Sequence, residues 1–569
     1  MDDLASRLND RLRKLQLARS NFDITWDRIA RVVLPTSIGF TTSYAPGSQL
    51  NNEIFDATAQ LALPRFAAAI DTLITPQTSK WHMLQAKDKR MKASPGVQRF
   101  LSDLNDKMFA VRYAPKANFA SRAFECYMSM GAFGNGPMYI QDLHPGIQYI
   151  SIHLSEIWFD EDANGRIDTA FWVHEYTQRQ VLQKFPDNVP EDIAKDAAQN
   201  PNKKIKFCKA VFPRVERDLF QKDAKNMAFA SVTFRIGGAS NSDSTGSSSI
   251  GSSSVPPTIV EEKGYRTFPF AVSRYATAAR ETYARGPAHD ALPDILTLQE
   301  MSKTTLRYGQ RVADPTLLAA DADAVDPFVT RPGAVNYGYL TQDGNELVKQ
   351  LQLQGDTGFT LELMNQRREA VNTAFLVNLF QVLVDKGGDR RTATEVMQLV
   401  QEKGALLGPI GGRLRTEFLG SIIEREMDIL FASNVIDPAD VPPELRNSPM
   451  LDIEYDSPLT RTMKAEEGIG IMRTYEFAAQ MAQVNPDIRL KLNANRALER
   501  VAEVNGAPPD VLFSDDEVAQ NKLHEAAGQA AAAVTDTLPN IADAAKKFAQ
   551  AQQISRGAAQ PGSPQPGVI

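Results

Sequence analysis

The spacing of apolar residues changes twice along this chain, and that change constrains the fold more than any other feature. Residues 3–34 and 57–74 carry apolar side chains every three or four positions, which predicts amphipathic helices. Between about 138 and 275 the spacing shortens to two, which predicts strands. From 288 onwards the helical spacing returns. Blocks of this kind indicate an α+β protein that is predominantly helical.

The predicted strands are short and rich in β-branched and aromatic residues. Helices are expected to interrupt them near 177–185 and near 190–200. Residues 237–257 are mostly glycine and serine, which predicts a disordered linker between two strands. The strand segments are MYIQDL (138–143), QYISIHL (148–154), TAFWVHEY (169–176), KAVFPRV (209–215) and SVTFRI (231–236).

Two predicted helices of similar length flank a short extended segment. The first occupies 288–314, where Pro293 suits a first helical position and Asp314, which precedes a proline, ends the pattern. Residues 315–357 are rich in turn formers, and the second helix occupies 358–384. The chain is therefore expected to run out along one helix, turn, and return along the other.

The remaining third of the chain is expected to be helical except at two places. A loop at 385–394 contains two adjacent glycines and is followed by helices over 395–510. Alanine-rich helices are predicted over 511–556, where Ser514 begins a capping-box pattern. Residues 557–569 are predicted to be disordered.

Charge and cysteine content exclude several classes of protein. The 569 residues carry a net charge of −7, whereas proteins that grip DNA usually present a basic field. Contact with DNA is therefore expected to be local, or summed over a ring of copies. Cys126 and Cys208 are too few for a disulfide framework or a zinc cluster. The start MDDLASRLND is not a signal peptide, and no apolar run reaches the roughly 18 residues of a membrane span.

The motifs of common catalytic sites are absent from the sequence. There is no GxxxxGK[ST] phosphate loop, no HExxH pair and no GxSxG elbow. No enzyme activity, catalytic residue, cofactor or metal is predicted. The cysteines are interpreted as small apolar residues. The histidines are interpreted as isolated structural residues; they are His82, His144, His153, His174, His289 and His524.

One acidic segment, residues 160–168, matches the calcium-binding loop at positions 1, 3, 5, 6 and 9. Position 12 of that loop requires a bidentate glutamate, and here it is Phe171. The flanking residues indicate strands rather than helices, so a hairpin turn is favoured. The alternative is a metal-dependent hydrolase that uses Asp160, Asp162 and Asp168.

A basic cluster lies in the loop at 385–394, between two predicted helices. Lys386, Arg390 and Arg391 are the candidate residues for contact with DNA phosphates. In an arbitrary protein such a cluster is usually a solvated loop, and that interpretation stays open on the residues alone.

Several segments together resemble the portal, or head-to-tail connector, proteins of short-tailed, T7-like bacteriophages. The resemblance covers about residues 20–515, and the segments follow the order of that family; the linker at 237–257 and the C-terminal tail look individual to this chain. The segments are WDRIARVVLP (26–35), IFDATAQLALPRFAAAIDTLITPQTSKWHML (54–84), ETYARGPAHDALPDILTLQEMSK (281–303), DPTLL (314–318), RPGAVN (331–336), TATEV (392–396), LLGPIGGRLRTEFL (406–419) and IEYDSPLTR (453–461).

The resemblance implies a fold with named regions and a ring of twelve copies. The two helices correspond to the stem, and the excursion between them corresponds to the clip. In chain order the implied regions are the wing (1–287), the first stem helix (288–314), the clip (315–357), the second stem helix (358–384), the channel loop (385–394), further wing helices (395–510), the crown (511–556) and a tail (557–569).

The resemblance also implies a non-enzymatic function at one vertex of a capsid. The ring would conduct double-stranded DNA during packaging and ejection, and would dock first the terminase motor and then tail proteins. Implied partners are copies of itself, DNA, the terminase large subunit, head–tail adaptor or tail proteins, major capsid and scaffolding proteins, and internal core or ejection proteins. The expected location is the virion, after assembly in the host bacterial cytoplasm. The alternative is another structural ring protein of the virion, such as an adaptor or tail-tube component.

Overall fold

The computed structural model describes residues 2–377, 408–481, 492–505 and 518, and forms two compact units, 1–463 and 464–569. Within these ranges the residues that are not described are 43, 46, 49, 51–53, 89–90, 92–93, 145, 187, 219–220, 222, 238–255, 320–328, 330, 332, 338, 341–342, 352–356, 448–450 and 457.

The described helices lie between residues 2 and 505. They are α1 (Asp2–Val33), α2 (Thr58–Ile74), α3 (Pro95–Arg112), α4 (Phe119–Phe133), α5 (Gln178–Lys184), α6 (Glu191–Asp196), α7 (Pro287–Ala313), α8 (Thr357–Ala374), α9 (Gly420–Ala432), α10 (Pro443–Asn447), α11 (Pro458–Met481) and α12 (Ala494–Asn505). Short 3-10 turns occupy Pro35–Ser37, Leu154–Glu156 and Ala224–Asn226, and a π-helical segment at Leu414–Leu419 leads into α9.

The described strands form antiparallel sheets. A five-stranded sheet has the order β4-β5-β6-β7-β8, a three-stranded sheet has the order β3-β2-β9, and two ladders pair β1 with β12 and β10 with β11. The strands are β1 (His82–Ala86), β2 (Asn135–Asp142), β3 (Ile147–Ser151), β4 (Ile157–Glu161), β5 (Ile167–Thr177), β6 (Lys204–Pro213), β7 (Phe229–Arg235), β8 (Thr258–Tyr265), β9 (Phe270–Arg274), β10 (Leu317–Ala319), β11 (Val348–Gln350) and β12 (Leu451–Tyr455).

The five-stranded sheet is covered on both faces, which explains its apolar strands. Successive strand residues point to opposite faces, so Phe207 and its neighbour Cys208 enter different clusters. On the side of Cys208, Leu8 and Leu12 of α1 complete the cluster. On the side of Phe207 the cover comes from α5 and α6. Helix α1 therefore folds because its apolar stripe covers a sheet formed much later in the chain.

The main core joins α4 to β2 at very close range. A Cβ atom placed on Gly136 of β2 would lie 2.1 Å from the carbonyl oxygen of Cys126 in α4. No residue with a side chain fits this approach. Cys126 itself is fully buried, and burial raises the pKa of its thiol to about 12. Both cysteines are free and buried, which confirms their interpretation as small apolar residues.

A buried ion pair connects two distant parts of the first unit. The Nε and Nη2 atoms of Arg112 in α3 donate to the carboxylate of Glu426 in α9, at 2.9 and 2.5 Å. Tyr149 also donates to this carboxylate, and the guanidinium lies 4.5 Å from the Trp81 ring centroid. Both charged side chains are at most 1% exposed. Three hydrogen bonds reach the carboxylate, although Nη1 of Arg112 is buried without a partner of its own. Loss of either member would leave the other as an unpaired buried charge.

The structure confirms the mixture of helix and sheet that the sequence predicts. The five quoted strand segments overlap β2, β3, β5, β6 and β7, and the serine-rich linker does join two paired strands, β7 and β8. Residues 238–255 of that linker lie outside the described residues. No described helix has the length and apolarity that a membrane span requires.

Two expectations for the helix pair are wrong in detail. Pro293 is not the first helical residue, because α7 begins at Pro287 and contains Pro293 in its interior. Helix α8 ends at Ala374 and does not run unbroken to 384. The chain turns there through Leu376, whose φ of 57° is left-handed, and this turn buries both Phe375 and Val377 in the main core. Residues 378–384 lie outside the described residues.

We expect the substitution Glu426→Ala to destabilise the first unit by about 3–5 kcal/mol, because it leaves Arg112 buried without a counter-charge. Thermal or denaturant unfolding of the purified protein measures the effect. Glu424→Ala is the matched control, since Glu424 lies on the same helix and is exposed. An equal loss in the two variants would contradict this account of the ion pair.

Candidate functional site

The predicted contacts with DNA lie outside the described residues. Lys386, Arg390 and Arg391 belong to the stretch 378–407, which the structure does not describe. The same holds for residues 557–569 and, apart from residue 518, for the predicted helices at 511–556. These predictions therefore stay predictions.

The acidic segment at 160–168 forms a hairpin turn between β4 and β5, as expected. The Oδ1 atom of Asp162 accepts from the backbone amides of Asn164 and Arg166, at 2.8 and 2.9 Å. These bonds, that from Arg166 foremost, lower the pKa of Asp162. The carboxylate thus organises the turn that the sequence pattern placed here.

The carboxylates on either side of Asp162 have partners of their own. Asp160 forms an ion pair with Arg11 of α1 at 2.8 Å, and Asp168 accepts from the hydroxyl of Thr169 at 2.9 Å. Within the described residues no three acidic, histidine or cysteine side chains form a group that could hold a metal ion. This geometry gives no support to the alternative of a metal-dependent hydrolase at these three carboxylates.

The tip of this hairpin is attached to the main core through Arg274 of β9. The guanidinium donates to the carbonyl oxygen of Gly165 at 3.0 Å and to the carboxylates of Glu417 and Glu161. Arg274 is only 3% exposed. The segment that resembles a calcium loop therefore has a structural use, since it docks one edge of the five-stranded sheet.

Three histidines, of which His82 is fully buried and His174 and His289 are half-buried, lie where their charged form is disfavoured. His82 stacks on Phe109 at 4.7 Å, and burial together with the nearby Arg112 holds its pKa well below the usual value. Burial lowers the pKa of His174 to about 3 and that of His289 to about 4. All three are uncharged at neutral pH.

Helix α7 is buried along its first half and exposed along its second. Its buried residues are Pro287, Ala288, Ala291, Ile295, Leu298, Gln299 and Ser302, and no α7 residue after Ser302 is buried. A helix of this length that packs over only half of itself needs another surface for the rest. The exposed half carries Leu306 and Val312, each 55% exposed.

Helix α8 packs beside α7 and runs in the opposite direction. Thr305 Oγ1 lies 3.7 Å from the sulfur of Met364, and Arg367 donates to Asp294 at 2.6 Å. Residue numbers therefore fall along α7 as they rise along α8. This is the return path that the sequence predicted.

The base of the helix pair is fixed by Asp56, which precedes α2. One carboxylate oxygen accepts from the amide and hydroxyl of Thr58, and the other accepts from Nε and Nη2 of Arg368 in α8, at 3.0 and 2.8 Å. Burial opposes ionisation, but the hydrogen bonds from Thr58 and Arg368 outweigh it and lower the pKa of Asp56.

Gln299 of α7 completes this junction. Its side-chain oxygen accepts from the backbone amides of Phe55 and Asp56, at 2.7 and 2.9 Å, and its nitrogen donates to the Asp56 carbonyl oxygen at 2.7 Å. We call Asp56, Gln299 and Arg368 the base junction. The sequence pattern does not reveal this junction, although an Asp just before a helical run is a known start signal.

The excursion between the two helices has no core of its own. No described residue from Asp314 to Leu351 is buried. Strands β10 and β11 form a ladder of three residue pairs, which is too small to be stable by itself in water. The exposed apolar residues of the excursion are Leu317, Leu318, Val329, Val335, Tyr337, Leu340 and Leu351, among which Tyr337 is 85% exposed.

An α+β body that carries a half-exposed helix pair and an uncovered apolar excursion defines a structural subunit built for assembly. The comparisons with known proteins agree with this class. The family model of the bacteriophage head to tail connecting protein matches residues 5–512, so the chain belongs to that family. The prediction of a phage portal protein is confirmed.

Two similar proteins align with nearly the whole chain. The portal protein of Salmonella phage epsilon15 is 25% identical over 93% of this chain and 92% of its own length. The probable portal protein of Bordetella phage BPP-1 is 24% identical over 94% and 93%. A chain from the virion of a native gene transfer agent particle covers 80% of this chain and 94% of its own, at 10% identity and a TM-score of 0.33. This TM-score is too low to establish a shared fold. The family assignment therefore rests on the sequence match.

We expect Gln299→Leu to loosen the base of the helix pair, because it leaves the amides of Phe55 and Asp56 and one carbonyl without partners. Each unpaired buried group costs about 1–3 kcal/mol. Hydrogen exchange of residues 54–58 measures the effect and should become faster. Gln310→Leu is the control, since Gln310 is exposed on the same helix. Unchanged protection in Gln299→Leu would refute this role of the base junction.

Proposed function

We propose that twelve copies of this chain form the portal ring at one vertex of the capsid, and that double-stranded DNA passes through its centre during packaging and ejection. The observation that supports this proposal is the excursion from Asp314 to Leu351. It exposes apolar residues and strand edges, and no described residue of it is buried within one copy.

The stability of such a segment has to come from a neighbouring copy. Exposed edges of β10 and β11 can extend a sheet across subunits, and the apolar side chains around them can be covered at the same time. Contiguous apolar surface on a single chain marks an interaction site of this kind. The assembled form is therefore the stable form of the protein.

The regions implied by the portal resemblance can be assigned to the described elements. We assign the wing to the α+β body formed by α1 to α6 and β1 to β9, and the stem to α7 and α8. The excursion with β10 and β11 is the clip. Helices α9 and α10 continue the wing towards the crown, to which residues 511–556 belong.

A ring of this chain suits DNA that slides rather than binds. Each copy carries 69 acidic and 62 basic residues, so twelve copies surround the duplex with a net negative charge. Persistent phosphate contacts would be multiplied by the copy number and would slow movement. Brief contacts are assigned to Lys386, Arg390 and Arg391 on the channel loop.

The proposed partners follow from the position of the ring in the virion. The clip docks the terminase large subunit while DNA enters, and adaptor or tail proteins afterwards. The wing meets the major capsid and scaffolding proteins, and the crown meets internal core or ejection proteins. Assembly takes place in the host cytoplasm, and the role is structural rather than enzymatic.

We expect Val335→Asp, Tyr337→Asp and Leu340→Asp in combination to prevent ring formation, because three charges would enter the apolar contact of the clip. Sedimentation velocity of the purified protein should show a ring for the unmodified chain and small species for the variant. Leu17→Asp is the matched control, because Leu17 of α1 is 75% exposed and lies outside the excursion. A variant that sediments as the unmodified ring would exclude the clip as the assembly surface.

We expect Lys386→Ala, Arg390→Ala and Arg391→Ala together to leave the ring intact but to reduce packaging or retention of DNA. The reason is that side-chain contacts with phosphates act on DNA and not on subunit packing. DNA content of purified particles is the measurement, and Lys14→Ala, Arg28→Ala and Lys225→Ala, which are exposed elsewhere, form the control. Normal DNA content in the loop variant would remove these residues from the channel.

A further inference from the structure

The charges of α8 divide into two groups according to their partners. Both of its arginines are used within the chain, since Arg367 pairs with Asp294 at 2.6 Å and Arg368 pairs with Asp56 at 2.8 Å. Glu362 and Glu369 are exposed and have no ion pair within the part of the chain that the structure describes. Helix α8 thus presents unpaired negative charge to its surroundings.

Helix α7 shows the opposite sign in its exposed half. Arg307 and Arg311 are exposed and have no ion pair among the described residues. Lys303 pairs with Glu300 of its own helix at 3.4 Å, so these two charges largely offset each other. Helix α7 therefore presents unpaired positive charge beyond Ser302, where none of its residues is buried.

The two sets of charges point away from the contact between the helices. At about 100° per residue, Arg307 and Arg311 lie about 200° and 240° from Thr305, which contacts Met364 of α8. By the same count Glu362 and Glu369 lie about 160° and 140° from Met364. The cations thus occupy the outer face of α7, and the acids occupy the outer face of α8.

One charge of each set, Arg307 on α7 and Glu362 on α8, also matches in height along the helix pair. Arg307 follows Thr305 by two residues, and Glu362 precedes Met364 by two residues. Because the helices are antiparallel, both steps lead towards the excursion, by about 3 Å at 1.5 Å per residue. Rotation about a ring axis leaves height unchanged, so Arg307 of one copy comes level with Glu362 of the next when the helices lie along that axis.

We propose that the outer face of α7 in one copy binds the outer face of α8 in the next copy, with Arg307 opposite Glu362. The occupant of this surface is a second copy of the chain, because one chain carries both complementary faces and neither can satisfy the other within that chain. This inference rests on the proposed ring function and specifies which helix surfaces join neighbouring subunits.

The sign difference gives the contact a direction. A basic face meets an acidic face only when copies follow one another in the same sense, which is the heterologous arrangement that closes a ring. Two α7 faces, or two α8 faces, would repel each other, so back-to-back pairing is disfavoured. A single exposed ion pair contributes little, but the charge pattern selects the partner face at every contact of the ring.

Charge reversal separates this inference from a general role in stability. Arg307→Glu alone places a glutamate opposite Glu362 of the next copy, and Glu362→Arg alone places an arginine opposite Arg307 of the next copy. Each variant should weaken ring formation at physiological salt, with an apparent affinity between copies lower by about tenfold or more, because like charges then oppose each other at every contact. The double variant Arg307→Glu/Glu362→Arg should form rings again, since the pair is restored with exchanged signs.

Mixing the two single variants gives the sharpest test. An equimolar mixture should form rings in which the variants alternate, because each face of one variant then meets an oppositely charged face of the other. Native mass spectrometry of the mixture should show equal numbers of both chains, a condition that only even-numbered rings satisfy. Arg28→Glu on α1 is the control for charge change, and it should form rings alone.

The possible results are distinguishable. If the unmodified chain forms rings and both single variants also form them normally, this contact is overturned while the ring function stands. If the single variants fail and neither the double variant nor the mixture recovers, the residues have another structural role and the pairing is overturned. If the unmodified chain forms no ring, the proposed function itself fails.

Discussion

The position of the helix pair depends on one buried carboxylate. Asp56 accepts hydrogen bonds from Thr58, at the start of α2, and from Arg368 of α8, while Gln299 of α7 binds the backbone around it. Three elements far apart in sequence therefore meet at one point, and every group involved is partnered. Loss of one partner would leave buried polar groups unpaired, so the junction holds the two helices in a single arrangement.

Burial along the helix pair changes near this junction. The first half of α7 is buried against the body, whereas its second half and the described excursion expose leucine, valine and tyrosine side chains. This division is the physical basis for proposing a ring. The buried core of the body holds the helix pair in place. The exposed apolar residues of the helix pair and the excursion then form the contacts between copies. The outer faces of opposite charge give those contacts a direction.

Much of this architecture is visible in the sequence, and its limits have physical causes. The change of hydrophobic period predicts the strands, α1 and the out-and-back path, because periodic burial is local in origin. The predicted start of α7 at Pro293 is wrong, since a proline in the first turns of a helix resembles a start signal. The end of α8 follows from the burial of Phe375 and Val377, and the base junction joins residues more than 240 positions apart. The end of α8 and the base junction both depend on contacts between distant residues, and such contacts leave no periodic pattern of apolar residues in the sequence.

The central claim is that this chain forms a hollow ring whose stem is made of α7 and α8. Electron microscopy of the purified, unmodified protein, viewed down its symmetry axis, tests it most directly. The account predicts a closed ring of twelve copies with an open centre wider than a DNA duplex, about 20 Å, plus a layer of water and ions. Particles that remain single copies at high concentration, or rings with a centre filled by protein, would contradict it.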